Sequence, residues 1–125
     1  MLTPAEKEAL VRNTLSQMYP VLLEKKNLPS RIGRSDGSVK WLEFDLVSED
    51  GKIVGEVKSQ RYNHKARGNT LIPRAMLDCH RLGLVEAERK LMIFTDRAYY
   101  EAFREDSDGL IEGIEILLVE VPSDR

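Results

Sequence analysis

Asp45, Glu56 and Lys58 are the residues whose types and spacing can do chemistry. Two carboxylates and an amine meeting at a sheet edge can hold a divalent cation and activate a water beside a phosphate. They lie in residues 41–60, WLEFDLVSEDGKIVGEVKSQ, which read as the two strands of a hairpin. The first strand alternates, with Leu42, Phe44 and Leu46 on one side and Glu43, Asp45 and Val47 on the other. Glu49, Asp50, Gly51 and Lys52 form a polar turn, and an apolar, β-branched run follows. Glu56 and Lys58 are two apart and share a face. A carboxylate desolvated among apolar strands costs roughly several kcal/mol unless a cation or hydrogen bonds compensate it. The plain alternative is an exposed sheet face on which Lys58 pairs with Glu43 or Asp45, each pair contributing roughly 0 to 1 kcal/mol.

The joint pattern of a strand-borne Asp, a turn and Glu-x-Lys among apolar residues resembles the PD-(D/E)xK nuclease superfamily, the fold of type II restriction enzymes and archaeal Holliday-junction resolvases. Gly55 to Ser59, GEVKS, is close to the second half-motif of resolvase-like members. Phe44 stands where a Pro often precedes the first Asp. The resemblance implies that Asp45 and Glu56, with the backbone carbonyl of Val57, bind Mg²⁺ or Mn²⁺, and that Lys58 orients or stabilises the attacking water. Glu43, on the same face as Asp45, is a candidate either for an additional ligand or for the Asp's place. The resemblance also implies an acid on the first helix that reaches the metal; Glu6 and Glu8 both qualify, and the apolar stripe favours Glu8. The implied fold is α/β with a mixed sheet, a restriction endonuclease-like core in the order αβββαβ, with a further helix and strand near the C-terminus.

The elements that must position these residues can be sketched from local signals. Thr3, Pro4 and Glu6 begin a helix as a capping box with Pro at the first position, and the helix is expected to reach about Lys25, with Pro20 kinking or shortening it. Val11, Leu15, Met18 and Leu22 form its stripe. Residues 29–38 read as a short first strand running into a turn, in which Arg34 and Ser38 are loose candidates for the basic residue and Ser that precede the catalytic strand in resolvase-like enzymes. Gly68, Asn69 and Thr70 can cap a second helix that has Pro73 in its first turn, Ile72, Met76 and Cys79 on its apolar side and Gly83 at its end. Residues 90–95 read as a buried strand, Asp96 as the cap of a helix to about Glu105, and residues 114–121 as the last strand.

At 125 residues the chain is expected to be one nuclease-like domain, residues 1–125. Its longest aliphatic run, residues 116–119, is too short to span a bilayer, and the expectation is a soluble, cytoplasmic protein with no membrane partner. The single Cys79 cannot form an internal disulfide, and the two histidines, His64 and His80, make no triad or zinc spacing. The net charge of −2 hides an uneven distribution. Residues 57–77 hold no acid but carry Lys58, Arg61, Lys65, Arg67 and Arg74, and residues 25–40 add five bases against Asp36, whereas residues 99–125 hold eight acids and two bases. Basic segments beside the proposed metal site suit electrostatic steering and phosphate positioning. Arg61, Lys65 and Arg67 lead as DNA contacts, with Arg34 and Arg74 behind them; Tyr62 either stacks on a base or packs on the sheet. The expected function is metal-dependent DNA phosphodiester hydrolysis by a homodimer or by a subunit of a larger nucleic-acid-processing assembly. The rivals are a catalytically silent nucleic-acid binder and a protein-interaction module.

Overall fold

The computed structural model describes residues 2–19, 23–63 and 70–122. Thr3 starts the first helix as the capping box requires: Glu6 N donates to Thr3 Oγ1 at 3.1 Å and Thr3 N to Glu6 Oε1 at 3.0 Å. This helix, α1, spans Pro4–Met18. It stops well before Lys25, because Tyr19 precedes Pro20 and is extended (φ −118°, ψ 113°), the conformation a following proline ring imposes. Of the expected stripe, Val11 and Leu15 are buried, Met18 is 60% exposed, and Leu22 lies outside the described residues.

The chain re-enters as β1 (Leu23–Pro29), followed by β2 (Trp41–Ser48), β3 (Ile53–Lys58), α2 (Leu71–Leu82), β4 (Arg89–Phe94), α3 (Arg97–Ser107) and β5 (Glu115–Leu118). The first strand therefore shares only Pro29 with residues 29–38, the rest of which lie in the β1–β2 connection, and the last is shorter than residues 114–121. Element order is as expected from the sequence. The fold is mixed α/β, with three helices and one five-stranded sheet in the order β1-β2-β3-β4-β5. The first three strands pair antiparallel and the last three parallel. A tight turn serves the β2–β3 hairpin: Gly51 takes φ +74°, and Asp50 Oδ1 accepts from Lys52 N. The parallel pairs need crossovers, which α2 and α3 supply.

Both faces of the sheet are covered. On one side, Leu42, Phe44, Val47, Val54, Met92 and Phe94 meet Ala75, Cys79 and Leu82 of α2 and Tyr99 and Phe103 of α3. Phe94 stands edge-on to Tyr99 at 4.8 Å between ring centroids. On the other side, Val11 and Leu15 of α1 cover Leu46, Ile53, Val57, Leu91 and Ile93. Packing is close at Gly55, where a Cβ would stand 2.8 Å from Leu46 Cδ1 and 3.1 Å from the Leu91 carbonyl. Asp96 caps α3, accepting from Tyr99 N. Thr70 precedes α2 without a side-chain capping bond, and Gly68 and Asn69 lie outside the described residues.

The alternation expected for β2 breaks at one point. Glu24 pairs with Val47 but Lys26 with Phe44, so Lys25 alone opposes both Asp45 and Leu46. This is a β-bulge, an extra residue that reverses the facing of everything after it. Leu46 consequently joins the α1 core and Val47 joins Leu42 and Phe44 in the other, the reverse of the simple two-residue period.

Candidate active site

The bulge falls at Asp45, and the β2–β3 ladder ends there too, its pairs being Val47 with Val54 and Leu46 with Gly55. Beyond them the Asp45 carboxylate replaces the ladder: Val57 N donates to Asp45 Oδ2 at 2.7 Å. In an extended strand the N–H and C=O of one residue point to the same side, so the Val57 carbonyl also faces β2. Asp45 is thereby pinned where two strands part.

On the α1 side of this parting, Asp45 meets Glu8. Burial first, and then the hydrogen bond and charge of Asp45, raise the Glu8 carboxyl above its ordinary value. Lys25, the residue opposite the bulge, reaches Glu8 at 3.7 Å and Asp45 at 4.0 Å but remains 46% exposed. Arg12 Nη1 donates to the Asp45 carbonyl at 3.4 Å. Glu6 is occupied in the capping box, so Glu8 is the acid that α1 presents to this site.

On the α2 side, Glu56 and Lys58 lie together as their spacing requires, and both are buried, 7% and 8% exposed. Lys58 does not pair with Glu43 or Asp45. Its Nζ donates to Asp78 Oδ2 of α2 at 2.6 Å. Arg81, one helical turn on, lies 3.7 Å from Asp78 Oδ1 and 4.0 Å from Glu56 Oε2, donates to the Glu43 carbonyl at 2.9 Å and stacks over Phe44. Glu56 Oε1 has no hydrogen-bond partner among the described residues. Burial, then the charges of Asp45 and Asp78, push the Glu56 carboxyl up to about 8, against the smaller opposing pull of Arg81 and Lys58. A buried oxygen with no donor, between like charges, is what a divalent cation would relieve. The donors are all oxygens, which suits Mg²⁺ or Mn²⁺. Among the described residues no three of His, Cys, Asp or Glu converge on one point: Glu8 with Asp45 and Glu56 with Asp78 form two groups flanking β3.

The remaining candidates scatter. Arg61 lines a cavity of about 200 Å³ beside Lys7, Ser59 and Thr95, just past the end of β3, where Lys7 Nζ donates to the Ser59 carbonyl at 3.2 Å. Arg34 is exposed in the β1–β2 connection, where Ser38 is engaged with Asp36. Arg74 is exposed in the first turn of α2. Lys65, Arg67 and His64 lie outside the described residues. Tyr62 packs against the core, its ring stacked 6.0 Å from that of Tyr99. Glu43 is exposed, and Cys79 is a core residue whose thiol burial pushes up to about 12.

Asp78 and Arg81 were not anticipated. Their signal is an acid and a base at i and i+3 bordering the buried residues Ala75, Cys79 and Leu82, a pattern that many solvated helix faces share. No protein-family model matches the chain, and no curated protein matches it.

Proposed function

We propose that this chain is a metal-dependent nuclease of restriction endonuclease-like fold that hydrolyses DNA phosphodiester bonds. The observation that carries the reading is Glu56: a buried carboxylate with an unpartnered oxygen, two residues from a buried lysine, under the charge of an Asp fixed at a strand parting. The element order α1-β1-β2-β3-α2-β4, with α3 and β5 appended, supports it. Asp45 and Glu56, with the Val57 carbonyl, would hold the ion, and Glu8 would act as an outer ligand. A bound Mg²⁺ or Mn²⁺ supplies a water of lowered pKa and neutralises charge on the phosphate. The chain's own work is to aim the carboxylates, Asp45 being held by Val57 N, and to offer the Lys58 ammonium to the nucleophile or to the charge developing at phosphorus. Arg61 and Lys7, at the end of β3, would receive a neighbouring phosphate, with Lys65, Arg67, Arg34 and Arg74 as further candidate contacts. The reading includes structure-selective cutting by a homodimer or within a larger assembly, since cutting two strands symmetrically suits a two-fold arrangement.

One observation favours a second reading, a catalytically silent DNA binder: Lys58 is already tightly paired with Asp78. The test is cleavage of labelled single-stranded, duplex, flap and four-way-junction DNA with Mg²⁺ or Mn²⁺, comparing wild type with Asp45→Ala and Lys58→Ala, each checked for folding by circular dichroism. The nuclease reading expects metal-dependent cutting that drops at least 100-fold in both variants. Binding without cutting by any of the three proteins selects the silent binder. No binding at all removes both readings in favour of an interaction module built on the acidic C-terminal third.

A further inference from the structure

Two cations stand near Glu56, yet its Oε1 has no hydrogen-bond partner among the described residues. Asp78 accounts for this. Lys58 Nζ is 2.6 Å from Asp78 Oδ2, and Arg81 stands closer to Asp78 Oδ1 (3.7 Å) than to Glu56 Oε2 (4.0 Å). Lys58 and Glu56 share a face of β3, and an ammonium on a flexible four-carbon stem can fold back onto a carboxylate two residues away. Nothing within β3 prevents that collapse; the hold comes from α2, across the βαβ crossover. With both side chains largely out of water, the Lys58–Asp78 bond is charge-assisted and short, and an alternative partner must break it.

We propose that Asp78 is a positioning residue: by holding the Lys58 ammonium and the nearer end of Arg81, it keeps Glu56 Oε1 free to accept a divalent cation. The proposal rests on the reading that Asp45 and Glu56 are the cation ligands, and it gives α2 a part in the site that the carboxylate pattern of the strands does not contain. The role is directional. Without the Asp78 charge, Lys58 turns to Glu56 and competes with the incoming ion.

The experiment is Mn²⁺ binding, followed by isothermal titration and by loss of the free-ion electron paramagnetic resonance signal, on wild type, Asp78→Asn, Lys58→Ala and the double variant. Asp78→Asn is nearly isosteric and keeps a polar group in place; Asp78→Ala, which leaves no acceptor at all, is the second variant should Asn still hold the lysine. The expected result is a tenfold or greater weakening of Mn²⁺ binding by Asp78→Asn when Lys58 is present, and a change of less than twofold when Lys58 is already Ala. An equal loss in both backgrounds would mean that Asp78 acts only as one more negative charge, and would overturn the proposal. So would no loss in either the Asn or the Ala variant. A wild-type protein that binds no Mn²⁺ overturns the ligand assignment itself, an outcome distinct from the other two.

Discussion

The two sides of β3 hold the same kinds of groups under different conditions. On the α1 side, Glu8 and Asp45 share one long, half-exposed contact to Lys25, at 3.7 and 4.0 Å. On the α2 side, Glu56 and Asp78 face a buried Lys58 and a partly exposed Arg81, and the shortest contact is 2.6 Å. Coulomb energy scales inversely with distance and local dielectric, so the α1 group behaves as a surface pair and the α2 group as a buried network. The difference teaches that charge balance is not compensation. The α2 side has two acids and two bases, yet its bases are drawn to Asp78 and Glu56 is left with an unpartnered oxygen. The α1 side has the same count, Glu8 and Asp45 with Lys25 and Arg12, but Lys25 is half-exposed, so water screens its contacts.

If this contrast is sound, removing one partner on each side should give very different costs. Asp78→Ala, which removes the short charge-assisted bond that holds the buried Lys58 ammonium, is expected to destabilise the fold by about 3 kcal/mol, read from the urea midpoint at unchanged slope. A loss under about 1 kcal/mol would mean that water reaches the α2 group. The next largest effect is a gain: Mn²⁺ at a hundredfold excess over its dissociation constant should stabilise the protein by about 2.7 kcal/mol. Both Asp45→Asn and Glu56→Gln should abolish the gain in a thermal melt, which would show that one ion draws on both sides of β3.

The contrast sharpens further with pH. The Glu56 carboxyl is pushed up to about 8 in the fold against an ordinary 4.5. Between those values the folded protein binds more protons than the unfolded chain. Stability is therefore complete below about pH 4.5 and falls as pH rises toward 8, by up to about 1.4 kcal/mol per unit. Glu8, also raised, adds to the fall with the same sign. Urea midpoints across this range should decline for wild type and much less for Glu56→Gln. An equal slope in the variant would move the effect to the α1 side. The smallest change is expected from Lys25→Ala, about 0.5 kcal/mol or less, measured the same way.

Signals confined to a few adjacent residues were legible in the sequence. The Thr3–Glu6 capping box, the Asp50–Gly51 turn, the Asp96 cap and the buried run of β4 are each satisfied by near neighbours or by a period of two. β1 was not legible, because LEKKNLP leaves most of its residues in solvent and carries no apolar period. The facing of Leu46 and Val47 was misread for a different reason: a bulge is a fact of pairing with β1, and Val47 by itself looks like any alternating residue. In the candidate site, the joint presence of Glu56 and Lys58 on one face follows from their spacing. The partners of Lys58, and the separation of Glu8 and Asp45 from Glu56 and Asp78, do not.

By itself the sequence determined which groups can do chemistry and which local elements carry them, since residue type, spacing and capping act over a few bonds. Only the tertiary structure decided where the charges settle. The bulge opposite Lys25 turned Leu46 to the α1 side, next to Asp45, and the crossover through α2 brought Asp78 and Arg81 against Glu56 and Lys58. Those choices depend on distance and burial between segments far apart in the chain, and an electrostatic energy that varies with the reciprocal of both distance and dielectric has no value until the fold has set them.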